Sequence, residues 1–325
     1  MSKKEVQVIF ETITPLFTGD AWQESKEIRP SSLLGSLRFW FSFYWKLIKD
    51  GKVERLNEKN VVSENLHELE KKMGKSLNKL IKKYLKNSSS LDEAIDKSLN
   101  TLRLSLPSRI FGCTGWKSRL SILIRDFDVV ELRYSDLEFS FPDPLSKKDI
   151  EFWIKKSLFH ENETIKVFSN IKTLIKVPEY WWEKYLKDFF RFFSNKLILV
   201  GGKGSFGFGF VKLSIHFHES GSIENSEIGN FRKYYFKDII SLNLNNQSKE
   251  ILGYNFRYYL RKRHKGFRKQ NFGGQGKSSK IYISNLRRNS KNIYFLVINN
   301  PFNSEFIPEK VIKIYIDFLK KLEGS

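Results

Sequence analysis

A glycine-rich stretch between two apolar strands constrains the fold of this chain more than any other part of its sequence. Residues Leu197–Ser214 read LILVGGKGSFGFGFVKLS, and five glycines fall within nine of these residues: Gly201, Gly202, Gly204, Gly207 and Gly209. Because glycine has no Cβ atom, this density permits backbone angles that other residues avoid and leaves amide groups open to an anionic partner. The pattern predicts a strand, a ligand-binding loop and a second strand.

Three glycine-rich patterns can be compared with this loop. Gly202–Gly207 matches the G-x-G-x-x-G of dinucleotide-binding domains, but a strand follows where that motif requires a helix. A kinase-type loop does lie between strands, but the sequence has neither an H-R-D nor a D-F-G motif. Gly207–Val211 (GFGFV) agrees with five consecutive positions of the RNP1 pattern of RNA-binding sheets, although Phe206 and Leu213 depart from its flanks. A nucleic-acid-facing loop is the favoured interpretation, and a β-hairpin turn without a ligand is the alternative.

The charge of the chain is strongly and unevenly positive. The 325 residues carry a formal net charge of +21. Ile251–Ser304 contains twelve Lys and Arg residues and no Asp or Glu, so one sixth of the chain carries more than half of the net positive charge. Such a surface neutralises phosphates and releases counterions. The composition therefore predicts a polyanionic partner.

Other features limit the compartment and the chemistry. Cys113 is the only cysteine, which rules out a disulfide within the chain and favours a reducing cytoplasm. The sequence shows no signal peptide and no apolar run of membrane-spanning length, so no membrane partner is expected. His216 and His218 share one face of a strand but have no evident third ligand, and no cofactor motif is present. We expect a cytoplasmic protein without metal or cofactor.

The order of elements predicts an α+β fold. A strand over Val6–Thr14 and a helix beginning near Arg29 precede a charged helical insertion at about residues 50–103. Pro107–Gly112 is interpreted as a turn in a strand-rich segment, and Ser146–Phe159 and Val177–Asn195 as helices. With the strands beside the glycine-rich loop (201–209), this order is typical of a ferredoxin-like β-α-β-β-α-β domain.

Similar signals return in the second half of the chain. Leu34-Gly35…Arg38 is followed much later by Leu252-Gly253…Arg257, which indicates an internal duplication. The sequence thus predicts tandem ferredoxin-like (RRM-like) domains: residues 1–220 with the helical insertion, and a shorter domain, 221–325, with the basic segment 251–304.

Several short motifs together resemble those of the RAMP superfamily of CRISPR proteins. They are Thr14–Gly19 (TPLFTG), Arg29–Trp40 (RPSSLLGSLRFW), Arg109–Gly112 (RIFG) with Ser118, and the glycine-rich loop. Within the superfamily the likeness is greatest to the first RAMP subunits of Cmr (type III-B) effector complexes. It spans residues 14–209, and the second half agrees mainly through the duplicated architecture.

The resemblance implies both an assembly and a set of residues. It implies a non-catalytic subunit at the head of an antiviral ribonucleoprotein, near the 3′ end of the guide RNA (crRNA), in contact with target single-stranded RNA and other RAMP subunits. The candidates that it carries over are Arg29, Ser31, Ser32 and Arg38 at the first helix, Arg109, Phe111, Gly112 and Ser118 in the second motif, and Gly202, Lys203, Gly204, Gly207 and Gly209 in the loop. Of these, the predicted RNA contacts are Arg29, Ser31, Ser32, Arg38, Arg109, Ser118 and Lys203, and the loop glycines either face the RNA or only shape the loop.

The acid-free segment supplies further candidates from its composition. Its cations are expected to contact phosphates, and the aromatic side chains between them are available to stack on bases. The cations are Arg257, Arg261, Lys262, Arg263, Lys265, Arg268 and Lys269. With the glycine-rich loop they are predicted to form one basic groove. Two alternatives remain open. One is a metal-independent RAMP endoribonuclease that processes guide RNA with His264 as its acid. The other is a structural cap that docks on guide RNA held by partners.

Overall fold

The computed structural model describes residues 2–19, 25–46, 66–139, 144–215, 235–241, 249–263, 281–287, 290, 292–298 and 317. Eight strands lie in these ranges: β1 (Lys3–Thr12), β2 (Ser121–Arg133), β3 (Thr164–Pro178), β4 (Leu197–Leu199), β5 (Phe210–Ile215), β6 (Tyr235–Ser241), β7 (Ile281–Ile283) and β8 (Asn292–Ile298). The α-helices are α1 (Pro30–Tyr44), α2 (Leu66–Leu85), α3 (Leu91–Thr101), α4 (Leu106–Phe111), α5 (Pro144–Ile154), α6 (Glu179–Trp181), α7 (Lys187–Phe193) and α8 (Gly253–Arg263). Two π-helical turns, Lys155–Phe159 and Trp182–Leu186, extend α5 and join α6 to α7.

The first sheet has the strand order β2-β3-β1-β5-β4, and every neighbouring pair is antiparallel. Strand β1 lies between β3 and β5, with Val8 opposite Thr173 on one side and Ile215 on the other. This is the arrangement of a ferredoxin-like domain in which β5 is the fourth strand and β4 is an added edge. The predicted α+β fold is confirmed.

Alternating side chains fix which face of this sheet is covered. Val6, Val8 and Phe10 of β1 are buried beneath the helices, and the residues between them are exposed or half-buried. Helix α1 contributes Leu33 and Leu37 to the same core at helical spacing. Each such large apolar side chain contributes about 1.5–3 kcal/mol when fully buried. The packing therefore holds α1 firmly against the sheet.

Two local sequence interpretations were wrong. Pro107–Gly112, predicted as a turn in a strand-rich segment, lies mostly within α4, because Ser105 caps the Ser108 amide and Pro107 occupies the first helical turn. Val177 and Pro178, assigned to a helix, end the long strand β3, and the helix begins at Glu179.

Helix α3, in the stretch predicted to be a helical insertion, is tied to the rest of the protein by a buried carboxylate. Asp96 accepts hydrogen bonds from Arg109 (2.6 Å), Tyr185 (2.6 Å), Tyr180 (2.9 Å) and Lys184 (3.2 Å). Burial, followed by the Asp96 charge and its hydrogen bond, raises the pKa of the Tyr180 hydroxyl, and burial with the same carboxylate raises that of Tyr185. Both phenols therefore stay protonated and continue to donate.

The second sheet has the order β6-β8-β7, with α8 between β6 and β7. This is the β-α-β-β opening of the same fold, as the duplication predicts. The proposed boundary at residue 220 lies outside the described residues and stays a prediction. The two halves share a core: Phe206 stacks on Tyr254 at 4.8 Å, and Trp40 meets the Tyr235 ring edge-on at 6.2 Å.

Candidate nucleic-acid interface

A cleft of about 600 Å³ opens where three of the sequence motifs meet. It lies between the β1–α1 connection, the first ten residues of α1, the end of β4 and the start of the glycine-rich loop. Its lining residues are Phe17, Gly19, Ser32, Gly35, Ser36, Phe39, Leu199, Gly201, Gly202 and Lys203. None of these described residues is acidic. The fold therefore brings together segments that are about 165 residues apart in the chain.

Hydrogen bonds hold the walls of the cleft in place. The Gly202 amide donates to the Phe17 carbonyl at 2.7 Å, and the Gly201 amide donates to Ser36 Oγ at 3.0 Å. One turn further along α1, the Trp40 indole donates to the Leu199 carbonyl at 2.8 Å. Loop, connection and helix are thus fixed relative to one another before any ligand binds.

The glycine-rich loop is only partly the open amide cradle that its sequence predicts. The amides of Phe206, Gly207 and Gly209 donate to carbonyls of Lys203, Gly204 and Pro15 respectively. Together with the bonds from Gly201 and Gly202, this uses five of the loop amides inside the protein. An anion at this loop would have to rely on side chains more than on the main chain.

The RNP1-like half of the loop is also not a stacking platform. Phe208 and Phe210 are 1% and 0% exposed and belong to the core. In an RNA-binding sheet of the RNP1 type, the aromatic rings stack on bases and must be open to solvent. Here they pack inward, so the RNP1 interpretation is wrong for these two rings.

Gly207 instead joins the two halves of the chain. Its φ is +97°, and a Cβ atom there would lie 2.0 Å from Asn285 Oδ1. The same Oδ1 accepts from the Gly253 amide at 2.9 Å, which caps the first turn of α8. The carboxyl-terminal half of the loop is therefore a junction between the halves, not a ligand surface.

Lys203 lies at the boundary between cleft and protein. Its backbone is left-handed (φ +56°), and its Nζ donates to the Ser157 carbonyl at 2.7 Å. The ammonium lies 5.6 Å from the centre of the Phe17 ring. Burial lowers the pKa of this lysine. Its stem lines the cleft while its charge is directed at the π-helical turn after α5.

The structure places α8 beside the loop, but it corrects the assignment of Arg257 as a phosphate contact, because this side chain is turned toward the protein. Arg257 is buried, and its Nη1 donates to the Ser205 carbonyl at 3.4 Å. Burial, and then the neighbouring charge of Arg261, lower the pKa of Arg257 to about 10, so it stays protonated at neutral pH. Arg261 is half-buried and Lys262 is exposed. The side chain of Arg263, and all of Lys265, Arg268 and Lys269, lie outside the described residues.

The remaining predicted residues fall into two groups. At the start of α1, Arg29 is 39% exposed at its side chain and lies 3.6 Å from Glu27, while Ser31 is exposed and Ser32 lines the cleft. No side chain caps this helix end and no acid lies in its first turn, which favours a negative group nearby.

Arg38, Arg109 and Ser118 are used within the protein. Arg38 donates to the Gly112 carbonyl at 2.8 Å and to Ser108 Oγ at 2.7 Å. Arg109 is paired with Asp96, and Ser118 Oγ bonds both main-chain groups of Leu120. These contacts correct the sequence assignment, because they direct the three side chains at protein partners and not at a surface groove.

Sequence reasoning missed six residues as parts of the interface: Phe17, Gly19, Gly35, Ser36, Phe39 and Leu199. Gly35 was a usable signal, because a glycine inside a predicted helix lowers its stability and so indicates a packing or functional role. His216, His218 and His264 lie outside the described residues. Within the part of the chain that the structure describes, no three His, Cys, Asp or Glu side chains form a metal cluster, and no helix could span a membrane.

Comparison with known proteins places the chain in a family. No curated protein matches its sequence. Distant solved structures include apo Cmr1 from Pyrococcus furiosus, with 14% identity, 99% of this chain and 97% of that chain covered, and a TM-score of 0.39. A chain of the type III-B Cmr-beta complex bound to cognate target RNA has 11% identity and a TM-score of 0.44, with 98% of this chain and 100% of that chain covered. The sequence profile of the RAMP superfamily matches residues 9–212, well over half of the chain. This chain belongs to the RAMP superfamily.

Proposed function

We propose that this protein is a non-catalytic, RNA-binding subunit of a type III-B CRISPR ribonucleoprotein effector, where it contacts guide RNA and target single-stranded RNA beside other RAMP subunits. The observation that carries the proposal is the acid-free cleft, built from three motifs of the superfamily, with the cationic helix α8 packed against the same loop.

The charge distribution supports a nucleic-acid ligand over a small molecule. Arg261 and Lys262 follow Arg257 on α8, and the acid-free segment continues along the chain to Ser304. Cations that contact phosphates supply affinity that is largely independent of sequence and falls steeply with salt. A neutral small ligand would show no such dependence.

A binding experiment tests the proposal on the full chain. Fluorescence anisotropy of labelled single-stranded RNA is measured at about 50 and about 200 mM salt, and four phosphate contacts would give a ~50-fold loss of affinity. The Arg261→Glu variant should weaken binding further at low salt. Gel analysis of the same RNA reports cleavage, which would favour the endoribonuclease alternative.

A matched pair of acidic substitutions locates the interface. Gly202→Glu adds a carboxylate at the cleft, where a Cβ atom makes only ordinary contacts of 3.6 and 3.7 Å with Phe17. Gln7→Glu adds the same group on the exposed face of β1. Binding should fall for Gly202→Glu alone. RNA affinity that is independent of salt, or that falls only for Gln7→Glu, would contradict the proposal.

A further inference from the structure

Two glycines on facing walls of the cleft are not required by the protein itself. Gly35 is the sixth residue of α1, and a Cβ atom added there would meet no atom within 4 Å. Gly202 has no left-handed backbone, and its added Cβ would be 3.6 Å from the nearest atom. Glycine inside a helix is less stable than alanine. Something other than the fold must therefore account for the bare surface at Gly35.

Most of the other glycines near the interface are required by the protein's own packing or backbone conformation. A Cβ atom would come within 3.0 Å of backbone or of a fixed side chain at each of these positions: Gly112, Gly201, Gly207, Gly209 and Gly253. Gly204 faces the Tyr282 ring at 3.4 Å. Among these described glycines, three have no atom nearer than 3.4 Å to an added Cβ, and two of them, Gly35 and Gly202, line the same cleft.

The chemistry of the cleft walls indicates what could approach so closely. The amides of Gly201 and Gly202 already donate to protein acceptors, so the loop offers little to a phosphate. Phe17, Phe39 and Leu199 supply apolar surface between the bare backbone segments. The partly exposed ring of Phe39 is held in orientation by Trp40, edge-on at 5.3 Å, and by Phe43, stacked at 6.5 Å.

We infer that the cleft is a slot for a single unstacked nucleobase of the bound RNA. The base lies flat against the backbone at Gly35 and Gly202, with Phe39 as its aromatic neighbour. Single-stranded RNA is commonly recognised by splaying a base onto an aromatic side chain, and the cleft of about 600 Å³ has room for one base. The sugar–phosphate chain then leaves toward the cations of α8. This inference rests on the proposed function and names what its cleft receives.

A pair of ligands separates the slot from phosphate binding. The full chain is titrated with an oligouridylate of about ten nucleotides and with an abasic ribose-phosphate oligomer of the same length. Both carry the phosphates, but only the first can fill a slot. The wild type should bind the oligouridylate about tenfold more tightly than the abasic oligomer.

The variants then assign that preference to the cleft. Gly35→Leu places a side chain in the slot, so the preference should vanish while affinity for the abasic oligomer is unchanged. Phe39→Leu should reduce the preference, and Phe39→Tyr should keep it. Ser76→Leu, at an exposed position of α2, is the matched control and should behave as wild type.

Each outcome bears on one of the two proposals. A preference that is absent in the wild type, or that persists in Gly35→Leu, overturns the slot and leaves RNA binding intact. A wild-type chain that binds neither oligomer overturns the proposed function, and the slot with it.

Discussion

The sequences at helices α1 and α8 share a Leu-Gly…Arg pattern, with the arginine three and four residues after the glycine, but the glycine has opposite uses in the two helices. Each helix follows the first strand of its sheet, and each carries an arginine that donates to a carbonyl in a glycine-containing turn: Arg38 to Gly112, and Arg257 to Ser205 of the loop. Gly253 is enclosed, with Ile283 O only 2.0 Å from an added Cβ, whereas Gly35 is open. The shared arginine serves the fold in both halves. The glycine serves a junction in one half and a cleft in the other.

The largest effect that this comparison predicts is at the enclosed glycine. Gly253→Ala would force a methyl group against Ile283 O and Gly207 Cα, and overpacking of this kind costs about 1–3 kcal/mol. We expect the upper part of that range, because both obstacles are backbone. Urea unfolding followed by circular dichroism measures the loss. A midpoint equal to that of wild type would show that the junction can shift without cost.

The next effect concerns the arginine of α1. Arg38→Met removes two hydrogen bonds of 2.7–2.8 Å from partly buried acceptors, and we expect a loss of about 2 kcal/mol in unfolding free energy. Arg38→Lys should recover little, since one ammonium cannot reproduce the fork of a guanidinium. The folded variant should bind RNA like wild type. Weaker RNA binding with unchanged stability would return Arg38 to the RNA interface.

The smallest effect is a gain at the open glycine. Gly35→Ala adds a methyl group where no atom lies within 4 Å, so helix propensity alone should raise the unfolding free energy by about 0.5–1 kcal/mol. The same urea titration detects it as a higher midpoint. A lower midpoint would mean that Gly35 has a packing role after all, and the contrast between the two helices would disappear.

Much of the fold follows from local sequence patterns, and the exceptions have physical causes. The alternation of apolar and polar residues in β1 and the helical spacing of apolar residues in α1 were sufficient to predict these two elements, because each has one buried face. Strand β3 was not predicted, although its burial also alternates along Ile171–Val177. It lies between β1 and β2, two strands far from it in sequence, so its place depends on pairings that no local window contains.

The sequence predicted the location of the candidate site better than the contacts that its residues make. Ser32, Gly202 and Lys203 do meet at the cleft. However, a sequence gives the number of amides and guanidinium groups without showing which carbonyls they reach. The acceptors of Arg38 and of the Gly209 amide lie in distant segments of the chain, Gly112 and Pro15, and only the folded structure brings them within bonding distance.

The double use of Asn285 has a consequence for engineering. Its side chain closes the first turn of α8, while its main-chain amide reaches the Gly207 carbonyl at 3.4 Å. A loop encoded in the first half thus receives part of its shape from residues that are translated later. Grafting the GGKGSFGFG segment onto another scaffold would therefore transfer its sequence without its conformation. A nascent chain that does not yet include Asn285 lacks these two stabilising hydrogen bonds.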